Sequence, residues 1–115
     1  MKKEKRVKTK EDFQKVISNN QKKVSNSFVV YYLKKESNDF ARYGISSSKK
    51  LGNAVTRVRV RRQIRAMINE IEKNEIISHN DYVIIVRKKF LDNDYQNNMS
   101  ELRKILKRIG GTINE

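Results

Sequence analysis

Ser46-Ser47-Ser48-Lys49-Lys50-Leu51-Gly52-Asn53-Ala54-Val55-Thr56-Arg57-Val58-Arg59-Val60-Arg61-Arg62-Gln63-Ile64-Arg65 passes from a small polar loop with one glycine into a segment where five arginines fall within nine positions. At about 3.6 residues per turn, Arg57, Arg61 and Arg65 stand at i, i+4 and i+8 and make a ridge, which Arg59 and Arg62 widen. The same turns carry Val60, Ile64, Met67, Ile68 and Ile71 on a separate apolar arc. That pattern predicts an amphipathic helix from about Ala54 to Lys73 lying on a sheet. Like charges at i, i+4 destabilise an isolated helix by about 0.2–0.5 kcal/mol per pair. No Asp or Glu occurs between Asn53 and Asn69 to relieve them. An anionic partner is therefore expected, and the planar, bidentate donors of arginine suit phosphate oxygens and base edges.

On the N-terminal side of this stretch, Phe40 to Ser47 reads as a strand returning through a polar hairpin loop, Lys34 to Asp39, from an earlier strand in Lys22 to Lys34. In the earlier strand, alternation puts Phe28, Val30 and Tyr32 on one face and Val29, Tyr31 and Leu33 on the other. Both faces are apolar, so one is expected under helices and the other as a partly open aromatic surface suited to stacking unpaired bases. An extra short strand fits near Lys23 to Asn26. Thr9 is a plausible N-cap, with Glu11 and Asp12 in the first turn, for a short helix carrying Phe13, Val16 and Ile17 and ending at Ser18-Asn19-Asn20. Before it lies a basic arm, Met1 to Lys8.

On the C-terminal side, Asp81-Tyr82-Val83-Ile84-Ile85-Val86-Arg87 is a continuous apolar run, expected in the interior of the sheet. The order strand, helix, strand implies a parallel pair in a mixed sheet. Asp92 or Asp94 is positioned to cap a last helix with Met99, Leu102, Ile105, Leu106 and Ile109, which Gly110-Gly111 stops.

Composition narrows the function. The 115 residues make one domain with no room for a separate catalytic one, 37% hydrophobic and 35% charged. A net charge of +14 favours RNA, DNA or an anionic membrane as partner without choosing among them. There is no cysteine, and the single His79 sits in the polar turn Ser78-His79-Asn80-Asp81, so thiolate or histidine metal sites and a Ser-His triad are not supported. Glu70, Glu72 and Glu75 read as solvated groups or partners for Lys73. No run is long and apolar enough for a spanning helix or a signal-peptide core, so a cytoplasmic location and no membrane partner are expected. Neither a catalytic residue nor a metal ligand is assigned.

The segment Ser48 to Arg65, with its Lys-Lys-x-Gly-Asn-Ala-Val-x-Arg signature, resembles the protein subunit of bacterial ribonuclease P. So do Glu11-Asp12-Phe13-Gln14-Lys15-Val16, Phe28-Val29-Val30-Tyr31, Gly44-Ile45-Ser46 and Asp81-Tyr82-Val83-Ile84-Ile85-Val86. The resemblance implies an α/β (α+β) two-layer sandwich with a mixed central sheet in the order α-β-β-β-α-β-α. That fold is similar to the second domain of a small-subunit ribosomal protein and has a left-handed β-α-β crossover, against the usual hand. It also implies a ribonucleoprotein endonuclease in which a catalytic RNA removes the 5′ leader of precursor tRNA. Magnesium is then held mainly by RNA, the protein carries no cofactor of its own and takes no small-molecule substrate, and its partners are the catalytic RNA and the precursor tRNA.

Carried over on matching positions, the resemblance assigns Lys49, Lys50, Asn53, Arg57, Arg59, Arg61, Arg62 and Arg65 to contact with the catalytic RNA. It places Phe13, Ile17, Val29 and Tyr31 in a cleft for the single-stranded leader. Val58 stands where the family usually has asparagine, and Ile17 replaces a common cleft phenylalanine, which leaves van der Waals contact there in place of stacking. Two other readings use the same residues: a general or ribosome-associated RNA-binding protein, and a DNA-binding protein with the arginine helix in a major groove.

Overall fold

The computed structural model describes residues 5–111, so the first four residues of the expected basic arm lie outside the described residues. Thr9 caps helix α1 (Lys10–Ser18): its hydroxyl accepts the Asp12 N–H at 3.0 Å, with Glu11 and Asp12 in the first turn. Asn20, at φ +58°, turns the chain out of that helix. The expected strand over Lys22 to Lys34 divides into β1 (Lys22–Val24), the extra short strand expected near Lys23 to Asn26, and β2 (Phe28–Lys34), because Ser25 to Ser27 form a tight turn in which the Ser25 N–H reaches the Phe28 carbonyl at 2.8 Å. Then follow β3 (Arg42–Ser46), the 21-residue helix α2 (Ala54–Asn74), β4 (Asn80–Val86) and α3 (Tyr95–Gly111). Asp94 caps α3 by accepting the Asn97 N–H at 2.8 Å, and the helix continues through the glycine pair that was expected to stop it.

The sheet order is β1-β2-β4-β3. β1 and β2 are antiparallel, β2 and β4 are antiparallel over seven residue pairs, and β3 runs parallel to β4. The parallel pair and the interior place of the apolar run therefore hold, while the hairpin expected between β2 and β3 does not form. β4 occupies the place beside β2, since its side chains are apolar on both faces and need cover that an edge position lacks. The hairpin of this sheet is β1–β2.

Register divides the sheet into two faces. Phe28, Val30, Tyr43, Tyr82, Ile84 and Val86 point to the face covered by α2 and α3 and join one core with Val60, Ile64, Met67, Ile68, Ile71, Leu102, Ile105, Leu106 and Ile109. Tyr43 and Tyr82 stack in it at 5.3 Å between ring centroids, and Phe28 meets Phe90 edge to face at 5.6 Å. These are the two layers of the expected sandwich. α1 lies across the opposite face, where Val16 and Val83 are fully buried outside the main core.

Candidate nucleic-acid interface

On the face under α1, pairing aligns Lys22, Tyr31, Val83 and Gly44 in one row across all four strands. Phe13 of α1 completes that row, because it rests on Gly44: a Cβ built there would stand 2.5 Å from Phe13 Cζ. Phe13 and Tyr31 are thus separated by the width of β4, about 10 Å for two strand spacings, with the Lys22 ammonium 5.5 Å from the centre of the Tyr31 ring. The next row is Val24, Val29, Ile85 and Ser46, with Val29 and Ile85 half-buried. Ile17 is half-buried on the same side of α1 as Phe13 and Val16. The four residues assigned to the cleft therefore share one face, in adjacent rows.

Charge fixes one end of this face. Arg42 reaches Asp12 of α1 and Asp81 of β4, each at 3.4 Å, and the buried Asp81 also takes Lys35 at 3.4 Å and an N–H of the Asn38 amide at 2.9 Å. At the opposite end of β3 the sheet alternation sends Ser46 toward the cleft and Ser47 toward α2, where its hydroxyl accepts Arg61 Nη1 at 2.8 Å. The α1 face of the sheet and the arginine helix meet at these two serines.

The five core residues expected on α2 are the five it buries. Asn53 is its N-cap, with the side-chain oxygen accepting the Thr56 N–H at 2.9 Å. Gly52 precedes it at φ +154°, a conformation L side chains rarely adopt, and a Cβ there would stand 3.1 Å from Thr56. That turn presents Lys49 and Lys50 to solvent in the short helical turn Lys49–Leu51, anchored by the buried Leu51. Arg57, Arg61 and Arg65 lie half-buried along the flank of α2 toward β3. Arg62 is exposed on the crest. Arg59 stands on the other flank, lining a depression with Gln63, Phe90, Tyr95 and Asn98, so it does not widen the ridge. Val55 and Val58 are exposed beside Arg59 and Arg62, which makes an apolar shelf on α2.

Among the described residues no carboxylate lies within ion-pair distance of Arg57, Arg61 or Arg65. Arg57 Nε is enclosed without a hydrogen-bond partner. Burial, and then the charges of Arg6 and Arg61, hold the Arg65 guanidinium below its ordinary value. The acids are engaged elsewhere. Glu72 accepts the Tyr43 hydroxyl at 2.9 Å and pairs with Lys5 at 3.5 Å, and Glu75 pairs with Lys107 at 3.3 Å, so neither serves the expected partner Lys73. His79 is an exposed residue of the turn before β4. No group of three potential metal ligands occurs among the described residues, and no helix there is long and apolar enough to cross a membrane. Lys22 and Ser47 escaped the sequence reading, because strand register and packing bring them to the site while spacing along the chain does not.

The family model for ribonuclease P matches residues 1–110. A ribonuclease P protein component from Bacillus mycoides is 44% identical over 110 residues, which are 96% of this chain and 95% of that protein. A Staphylococcus aureus RNase P protein mutant superposes with a TM-score of 0.83 at 33% identity, covering 94% of this chain and 90% of that one. The RNase P protein of Thermotoga maritima superposes with a TM-score of 0.79 at 27% identity, covering 90% and 96%. Across its sheet, its three helices and its arginine-rich signature, the chain belongs to the bacterial ribonuclease P protein family.

Proposed function

We propose that this chain binds the catalytic RNA of ribonuclease P through Lys49, Lys50 and the arginines of α2, and holds the 5′ leader of precursor tRNA in the cleft between α1 and the sheet. The observation that carries this reading is the row Arg57, Arg61, Arg65, which has no carboxylate within ion-pair distance among the described residues and is joined through Ser47 to the end of the cleft. Two polyanions, enzyme RNA and leader, then meet on one small protein whose cations offset their mutual repulsion. Within the cleft, Phe13 and Tyr31 offer ring surface to unpaired bases, the Lys22 ammonium lies near Tyr31 for a leader phosphate, and Val29 and Ile17 supply apolar contact. Asn53 serves first as the cap of α2, which aims the first turn of that helix and the Lys49-Lys50 turn at the same RNA.

Hydrolysis in this reading belongs to the RNA and to magnesium that the RNA holds, in the cytoplasm. The chain contributes binding and orientation. The test is cleavage of a leader-bearing precursor tRNA by a bacterial ribonuclease P RNA at low magnesium, with and without this protein. Cleavage at the mature 5′ end that needs the added protein is the expected result. RNA binding without any gain in cleavage would instead favour a general or ribosome-associated RNA-binding role.

A further inference from the structure

We propose that Arg6, from the segment alongside β3, joins Arg61 and Arg65 of α2 in a single phosphate site, so that an RNA backbone straps the N-terminal segment to the body of the protein. The inference rests on α2 being an RNA-binding surface and adds to that surface a residue far away in the chain.

The position of Arg6 is fixed by backbone. Arg6 forms an isolated parallel bridge with Tyr43, and the next residue, the buried Val7, donates its N–H to the Tyr43 carbonyl at 2.9 Å. This extends the sheet one step beyond β3, under the flank of α2 that carries Arg61 and Arg65. Arg61 is held there by Ser47, and Arg65 follows one turn later. The nearby acid on α2, Glu72, is already held by Tyr43 and by Lys5, the residue before Arg6. The protein therefore gathers guanidinium groups at a place where no carboxylate among the described residues pairs with Arg61 or Arg65. Their mutual repulsion is visible in the depressed proton affinity of Arg65, to which Arg6 and Arg61 both contribute after burial. A phosphate has oxygens enough for several guanidinium donors at once and turns that repulsion into attraction. It also adds a tie for a segment whose backbone is anchored, among the described residues, by this one bridge.

Binding of a bacterial ribonuclease P RNA across a series of KCl concentrations tests this. Arg6→Ala is expected to lower the slope of log K against log salt by about one, and Arg6→Lys to keep it. Combining Arg6→Ala with Arg65→Ala should cost less than the product of the two single losses, because the residues share one phosphate. RNA should also slow hydrogen exchange at the Val7 amide in the unmodified protein but not in Arg6→Ala, whose melting temperature reports that it is folded. A wild-type slope in Arg6→Ala, with slopes lowered by Arg61→Ala and Arg65→Ala, overturns this site and leaves the RNA surface standing. Wild-type slopes in all three variants overturn the RNA surface itself.

Discussion

At Gly44 a missing side chain decides where the first helix can lie. A methyl group there would stand 2.5 Å from Phe13 Cζ, so Gly44→Ala forces the ring off the sheet. Overpacking of this kind costs about 1–3 kcal/mol, and it should lower the melting temperature and weaken binding of leader-bearing tRNA while sparing mature tRNA. Adding Phe13→Leu should restore part of the melting temperature but not the leader affinity. Equal melting of Gly44→Ala and the unmodified protein would show that Phe13 moves without cost. On the other face, burial pushes the Tyr43 hydroxyl above its ordinary range, helped by the charge of Glu72 and the hydrogen bond to it, and burial does the same to Tyr82. A pKa raised by folding means that the native state keeps protons the unfolded chain gives up. This stability is fully present below about pH 10, the phenol's ordinary value, and is lost as pH rises beyond it. Denaturant midpoints between about pH 8 and 11 should therefore fall at the alkaline end. Tyr43→Phe should lower stability at neutral pH by about 1 kcal/mol for the lost hydrogen bond and flatten the alkaline fall. An alkaline fall as steep in Tyr43→Phe as in the parent would assign the effect to other groups.

The N-terminus of α2 is the element in which stability and binding can be separated. Asn53 caps the helix and also stands in the signature assigned to RNA contact. Asn53→Ala should cost about 1 kcal/mol through the lost cap. Asn53→Asp keeps an accepting oxygen and places a negative charge at the positive end of the helix dipole, so its thermal stability should match or exceed that of the parent. Its affinity for ribonuclease P RNA should nevertheless fall, and the fall should shrink as salt rises. An unchanged affinity in Asn53→Asp would confine Asn53 to capping. Elements were legible in the chain where the determinants are local: the caps Thr9 and Asp94, the five core residues of α2, and the apolar run of β4 all follow from spacing within a few residues. The parallel β3–β4 pair followed from the order strand, helix, strand, but the partner of β2 was not legible, because β2 had two candidate neighbours and the choice depended on which strand most needed cover. The short strand before the break was legible near Lys23 to Asn26, but what holds the turn between β1 and β2 lies far away in the chain. Buried Ser27 at that turn is held by Glu101 at 3.0 Å through its N–H and bonded to Asn98 at 2.9 Å through its hydroxyl, more than 70 positions onward. Burial pushes the Glu101 carboxyl up, but hydrogen bonds from Ser25 and Ser27 outweigh it and hold the group below its ordinary value. The opposite flank of Arg59 was available from arithmetic alone, since two residues of helix turn a side chain about 200° away from Arg57.

Over the whole molecule the balance is +14, and the ion pairs are unevenly spread. Asp12, Asp81, Glu72 and Glu75 neutralise cations beside α1, at the N-terminal segment and on α3, while no carboxylate among the described residues pairs with the α2 flank. Folding concentrates that excess, because the expanded chain spreads the same cations over a far larger volume. Screening at about 0.15 M salt reaches only about 8 Å, a length that separates neighbouring turns of α2 poorly and opposite faces of the molecule well. Added salt should therefore raise the melting temperature mainly by relieving the local ridge. Sulfate, which can bridge two guanidinium groups, should raise it more than chloride at equal ionic strength. The variant Arg57→Ala/Arg61→Ala/Arg65→Ala should melt higher than the parent at low salt and lose most of the difference between sulfate and chloride. Melting curves of both proteins in the two salts decide the point. If the triple variant kept the full preference for sulfate, the stabilising anions would be acting elsewhere, and the arginine row on α2 would not be where this protein stores its repulsion.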